Sequence, residues 1–120
     1  FLQLFQEMFC MCEQFTAQSL RLKIDQRVNQ MPIVSKINHA ILKAAHDLDH
    51  NVKFDSDAFP ELLVRDNVTN LINLHKTQTL LISLTRSFSA RGFEASYELP
   101  YVSDELARDT AAPAHFTVSW

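Results

Sequence analysis

A single glycine, Gly92, serves the whole chain. Loops that cradle phosphates need several glycines, so this scarcity excludes the dinucleotide-binding and P-loop classes. Cysteine is nearly as scarce, with Cys10 and Cys12 alone. Two positions apart on a helix, they point to nearly opposite sides, so they neither bridge each other nor chelate one metal with ease. The reading is two reduced thiols in an intracellular protein. Positive charge is not in excess either: the net charge is −3, which argues against a general nucleic-acid binder. No run of about 18 apolar residues occurs, so no spanning helix is expected, and no secretory leader is apparent.

What is present is the balance of one globular domain: 120 residues, 47% hydrophobic and 21% charged. The chain opens inside an apolar pattern, so residues 1–120 are read as one domain cut from a longer protein. FLQLFQEMFCMCEQF spaces Phe1, Leu4, Phe5, Met8, Phe9, Met11, Cys12 and Phe15 largely by threes and fours, which paints about half of a helix surface. Its polar face carries no Lys or Arg, unlike a membrane-surface helix. SLRLKID then alternates Leu20, Leu22 and Ile24 with Arg21, Lys23 and Asp25, the period of a strand with one wet face. Pro32 sits where a helix starts, and Ile33, Ile37, Ile41, Ala44, Ala45 and Leu48 make its apolar stripe, ending near His50. NVKF reads as a short extended piece, and DSDAFPELL as a short turn or helix limited by Pro60.

From Val68 onward the pattern reads as β. Val68 to Leu74 is expected as a strand. TLLISLTRSF and FEASYEL both alternate and are expected as a hairpin around SARG. SDELARD reads as a polar segment, and HFTVSW as a last strand with Phe116, Val118 and Trp120 on one face. The sum is an α+β domain: a curved antiparallel sheet with helices packed on one face.

Local chemistry is thin. HDLDH puts His46 and His50 four apart, close enough for one zinc on a helix. No Cys or third His lies at a supporting spacing, and the residue after His46 is Asp47, where the zinc-protease motif needs Glu. A solvated helix end, favoured by the dipole, is the simpler reading. Nothing lowers the pKa of Cys10 in its polar arc. Neither cofactor nor metal is expected. Phe93, Tyr97, Phe116 and Trp120 could be core, but if helices cover one sheet face, a second apolar face needs a partner or forms an exposed patch.

Several words in the chain resemble the NTF2-like domain of the nuclear RNA export factor family. FLQLFQEMF is similar to that family's opening helix, HNVKF to a segment with a basic residue before Asn, and NVTNLINLHKTQ to its strand and Lys-Thr-Gln corner. ARDTAAPAHFTVSW is similar in placement to a late strand. The resemblance implies an NTF2-like cone with no chemistry, paired through its sheet with a small NTF2-related export protein in the nucleus, and serving RNA export. It also implies that Lys76 to Gln78 positions strands rather than a substrate. His50 stands where the family has a basic residue able to form a forked ion pair, which histidine cannot reproduce. The family's closing strand has no counterpart after Trp120, so its pocket for Phe-Gly repeats of nucleoporins is in doubt. A divergent member, such as an insect paralogue used in small-RNA-guided silencing, fits these departures. Contact with RNA falls to other domains of the parent protein, and a second protein could use the first helix.

The expected partner-binding set is an apolar centre of Phe93, Tyr97, Phe116, Val118 and Trp120, with His50 and Arg86 on a polar rim. The enzymatic alternative is a small NTF2-like or cystatin-like hydratase or isomerase working through His and Asp in the cone. Against it, the inward-compatible strand positions are almost all apolar, and the histidines fall on the second helix, in turns, or at the start of the last strand. An unrelated α+β adaptor is the third reading.

Overall fold

The computed structural model describes residues 16–101 and 112–120. The helix expected over Phe1 to Phe15 and the polar segment SDELARD lie outside the described residues. Within them the order is helix α1 (Ala17–Asn29), helix α2 (Pro32–His46), strand β1 (Asn51–Asp55), a 3-10 turn (Pro60–Leu62), helix α3 (Leu74–Ala90), and strands β2 (Glu94–Glu98) and β3 (His115–Ser119). The sheet is three-stranded and antiparallel, ordered β1-β3-β2. The fold is α+β with helices on one face of the sheet, as expected and consistent with an NTF2-like layout. α3 packs on β2, α1 on α3, and α2 against β1.

Two expected strands are helical. Leu20 to Asp25 lies inside α1, and TLLISLTRSF inside α3. The alternation in α1 reflects a wet helix, not a pleat: Leu20, Leu22 and Ile24 are 46%, 55% and 38% exposed, and Val28 is the helix's buried residue. Local signals decide the matter. Leu, Arg, Lys and Gln are good helix formers. Thr16 and Ser19 close a capping box, each side chain accepting the other's backbone N–H at 3.1 Å. In α3 the buried positions are Thr77, Leu80, Leu81, Ser83, Leu84 and Phe88, a helical spacing hidden beneath the alternation of Leu80, Ile82 and Leu84. Asn73 caps this helix by accepting the Lys76 N–H at 2.9 Å.

The strand expected over Val68 to Leu74 is instead a tight loop. Asp66 N–H donates to the Leu71 carbonyl and Asn70 N–H to the Asp66 carbonyl, both at 2.9 Å, with Asn70 at φ 58°. Asparagine tolerates that left-handed turn better than most residues. The expected hairpin therefore changes partners: β2 pairs with β3, with Ala95 opposite Val118 and Tyr97 opposite Phe116. NVKF is extended as expected and becomes β1 on the other side of β3.

The core lies between sheet and helices. α2 supplies Ile33, Ile37 and Ile41, α3 supplies Leu80, Leu81, Leu84 and Phe88, and the sheet supplies Phe54, Phe116 and Val118. Its spine is an unbroken run of rings. Trp120 meets Phe93 at 6.3 Å, Phe93 meets Phe88 at 5.9 Å, Phe88 meets Phe116 at 5.8 Å, Phe116 meets Phe54 at 6.4 Å, and Phe54 meets Phe59 at 5.1 Å. Each buried ring contributes roughly 1.5–3 kcal/mol by leaving water.

Two helix ends share one device. After α3, Gly92 N–H donates to the Ser89 carbonyl and Phe93 N–H to the Phe88 carbonyl, both at 3.1 Å, with Gly92 at φ 93°. This is a Schellman motif, and the Phe88–Phe93 ring contact is its hydrophobic clasp. After α2 the same pattern recurs: Leu48 N–H donates to the Ala45 carbonyl at 3.1 Å and Asp49 N–H to the Ala44 carbonyl at 2.9 Å. Here the left-handed residue is Leu48, at φ 66°.

Candidate functional site

The strand parity read from the sequence holds, but the cover is different. Phe116 and Val118 are fully buried, and Phe93, Ala95 and Tyr97 pack against the same core. All face the helices of their own chain. Two residues of the expected apolar centre, Phe116 and Val118, are thus the floor of the core and as folded offer no surface to a partner. The physical reason lies in α3. A helix where a strand was expected brings Leu81, Leu84 and Phe88 over these residues.

The opposite face of the sheet is polar. Alternation places Asn51, Lys53 and Asp55 of β1, His115, Thr117 and Ser119 of β3, and Glu94, Ser96 and Glu98 of β2 there. The register forms cross-strand rows: Asp55, His115 and Glu98 at one end, Lys53, Thr117 and Ser96 in the middle, and Asn51, Ser119 and Glu94 at the other. Three carboxylates thus stand against one lysine. The imidazole of His115 lies between two of the carboxylates in register. Its Nδ1 is the buried side-chain nitrogen or oxygen without a hydrogen-bond partner among the described residues. Asn51, Lys53, Glu94, Ser96 and Glu98 are exposed on this face, while Asp55, His115, Thr117 and Ser119 are partly buried.

Two expected rim residues are placed apart. His50 lies beside Trp120, whose N–H donates to the His50 carbonyl at 3.0 Å. Together with Asn51, Gly92, Glu94 and Ser119 they line a cleft of about 280 Å³ at the end of the sheet. Trp120 is 39% exposed there and caps the aromatic spine. Arg86 sits on the helical layer instead, where its Nη2 donates to Asp25 Oδ1 at 2.7 Å. Ser83 Oγ donates to the same oxygen at 2.6 Å. Burial pushes the Asp25 carboxyl up, but hydrogen bonds from Arg86 and Ser83, with the Arg86 charge, outweigh it and hold the group below its ordinary value. Sequence reading missed Asp25 and Ser83 because both were assigned to strands.

The Lys-Thr-Gln corner begins α3 rather than joining strands. Thr77 is fully buried and holds Val64 of the preceding loop. On the far side of α2, Lys36 pairs with Glu61, a hydrogen bond that holds the Glu61 carboxyl below its usual value. Among the described residues no group of three His, Cys, Asp or Glu is placed to hold a metal, and no helix is long and apolar enough to cross a membrane. His46 closes α2 and His50 lies beyond it, so the pair does not share a helix.

Comparison with protein-family models, curated proteins and solved structures finds no match to this chain.

Proposed function

We propose that this chain is a non-catalytic protein-interaction domain whose partner docks across the polar outer face of the sheet. The observation that carries this reading is the charge of that face, Asp55, Glu94 and Glu98 against Lys53, with Lys53, Glu94 and Glu98 exposed. Such a face selects a partner that brings lysine or arginine side chains, and complementary charge sets orientation and encounter rate more than it sets affinity. Trp120 at the adjoining cleft supplies an apolar anchor of the kind that concentrates binding energy. The core side of the sheet is lined by Phe54, Phe116 and Val118, which favours a binding role over acid–base chemistry inside the domain.

The family resemblance supplies a specific candidate: a small NTF2-related export protein, in nuclear RNA export or RNA-guided silencing. The test is co-expression of the two chains, followed by size-exclusion chromatography with light scattering. A one-to-one complex is expected, lost in the double variant Glu94→Lys with Glu98→Lys and weakened in Trp120→Ala. A complex unchanged by the charge reversal defeats the sheet-face assignment. A chain that stays single beside this candidate, or pairs only with its own copy, defeats the partner.

A further inference from the structure

A groove of about 630 Å³ opens on the helical layer, between the ends of α1, α2 and α3. Its polar lining is Asp25, Asn29, Asn38, Arg86, Ser87 and Arg91. The volume falls in the range of small-molecule sites, about 300–1,000 Å³.

Arg91 is the unusual member. Its guanidinium carbon lies 4.2 Å from the Phe88 ring centroid and 5.5 Å from that of Phe93. Its Nη2 donates to Asn38 Oδ1 at 2.9 Å. These contacts fix the plane of the guanidinium without bringing it a counter-charge. Arg86 differs, because Asp25 neutralises it at 2.7 Å. Asp25 is the one carboxylate among the described lining residues, so the groove retains a positive charge.

The neutral groups reinforce that bias. The carbonyl oxygen of Asn38 is engaged by Arg91, and that of Asn29 by Ser87 Oγ at 2.6 Å. Each amide is thereby turned so that its NH₂ end is left for a ligand. What the groove offers is donors and positive charge, on an apolar footing of Val34 and Ala90. A fixed guanidinium edge matches the paired oxygens of a carboxylate or phosphate. One uncompensated cation, in a chain of net charge −3, does not suit a nucleic-acid strand.

We propose that this groove binds a small organic oxyanion, a carboxylate or a phosphate ester, through Arg91 with the amides of Asn38 and Asn29. The site is separate from the sheet face and stands whether or not a protein docks there.

The test is an NMR titration of the 120-residue chain with inorganic phosphate and, separately, with glutarate, at ionic strength held constant with sodium chloride. The Arg91 Nε–H resonance and the Asn38 and Arg91 amides are the readout. Saturating shifts with at least one probe are expected, and the tighter probe identifies the group as phosphate or carboxylate. Arg91→Gln should weaken binding tenfold or more, while Arg91→Lys, which keeps the charge but not the fork, should retain part of it. Linear shifts with both probes, or the same curve in Arg91→Gln, overturn the proposal. Should Arg91→Gln lower the melting midpoint, Asn38→Asp takes its place, since it neutralises Arg91 without removing the stack. Loss of saturation in that variant supports the site, and unchanged binding overturns it.

Discussion

Thr77 Oγ1 accepts the Val64 N–H at 3.0 Å and donates back to the Val64 carbonyl at 3.4 Å. A hydroxyl in the first turn of α3 thus satisfies both backbone groups of one loop residue. Asn73 continues the tie, with its N–H on the Val64 carbonyl at 2.8 Å and its amide on Asp66 Oδ1 at 3.2 Å. The corner fastens the loop over residues 63–73 to the helix that follows.

Thr77→Val keeps the shape and removes the hydroxyl. The Val64 N–H then loses its partner, and the expected cost is about 1–3 kcal/mol. Urea unfolding measures it, and hydrogen exchange at Val64 should accelerate more than exchange in β3. Equal protection at Val64 in both proteins would count against the tie.

Asp25 gives the domain a sensitivity to acid. Its folded carboxyl lies below the ordinary value of 3.8, so its stabilising contribution is fully present above that pH. It is lost as pH falls through the lower, folded value. Wild type should therefore be more stable than Asp25→Asn at neutral pH, and the two unfolding midpoints should converge below pH 3.8. A gap between them that does not depend on pH would assign the difference to packing.

The two Schellman motifs predict opposite effects. Nothing lies within 4 Å of a Cβ built on Gly92, so Gly92→Ala meets only the backbone cost of its positive φ. That cost is about 1–2 kcal/mol of destabilisation. Leu48 already bears such a cost while 87% exposed, with little burial to offset it. Leu48→Gly should raise stability by about 0.5–1 kcal/mol in chemical denaturation. A loss of stability at Leu48→Gly would mean that its side chain is held by a contact of its own.

Phe88 sits mid-spine, touching Phe93 and Phe116 and lying under Arg91. Phe88→Ala should cost about 3–5 kcal/mol by thermal or urea unfolding. Trp120→Ala, at the exposed end of the same spine, should cost markedly less. Similar losses at Phe88 and Trp120 would contradict the gradient of burial.

The parts legible in the sequence were those where one local signal stood alone. Pro32 with Ile33, Ile37 and Ile41 marked α2, and Tyr97, Phe116 and Val118 marked strands. α1 and α3 were missed because their side chains happen to satisfy both periods. Leu20, Leu22 and Ile24 alternate but stay wet, and Leu80 and Leu84 belong to either pattern. The capping box of Thr16 and Ser19 and the long stretch free of Gly and Pro before Gly92 were the deciding cues. Mistaking α3 for a strand removed the cover from the sheet's apolar face, so core rings were read as an interface. The Arg91 groove was invisible for the same reason, since it exists only where three helices meet.

β3 is the central strand of the sheet and follows both of its neighbours in the chain, with Asn51 waiting for Ser119 and Glu94 for the same residue. During synthesis β1 and β2 therefore emerge with no neighbour to bond, since neither touches the other. A ribosome that stops before His115 releases a chain with the helices encoded but both outer strands unmated, a species prone to aggregation. Closure of this sheet is then governed by the arrival of one short segment, His115–Ser119.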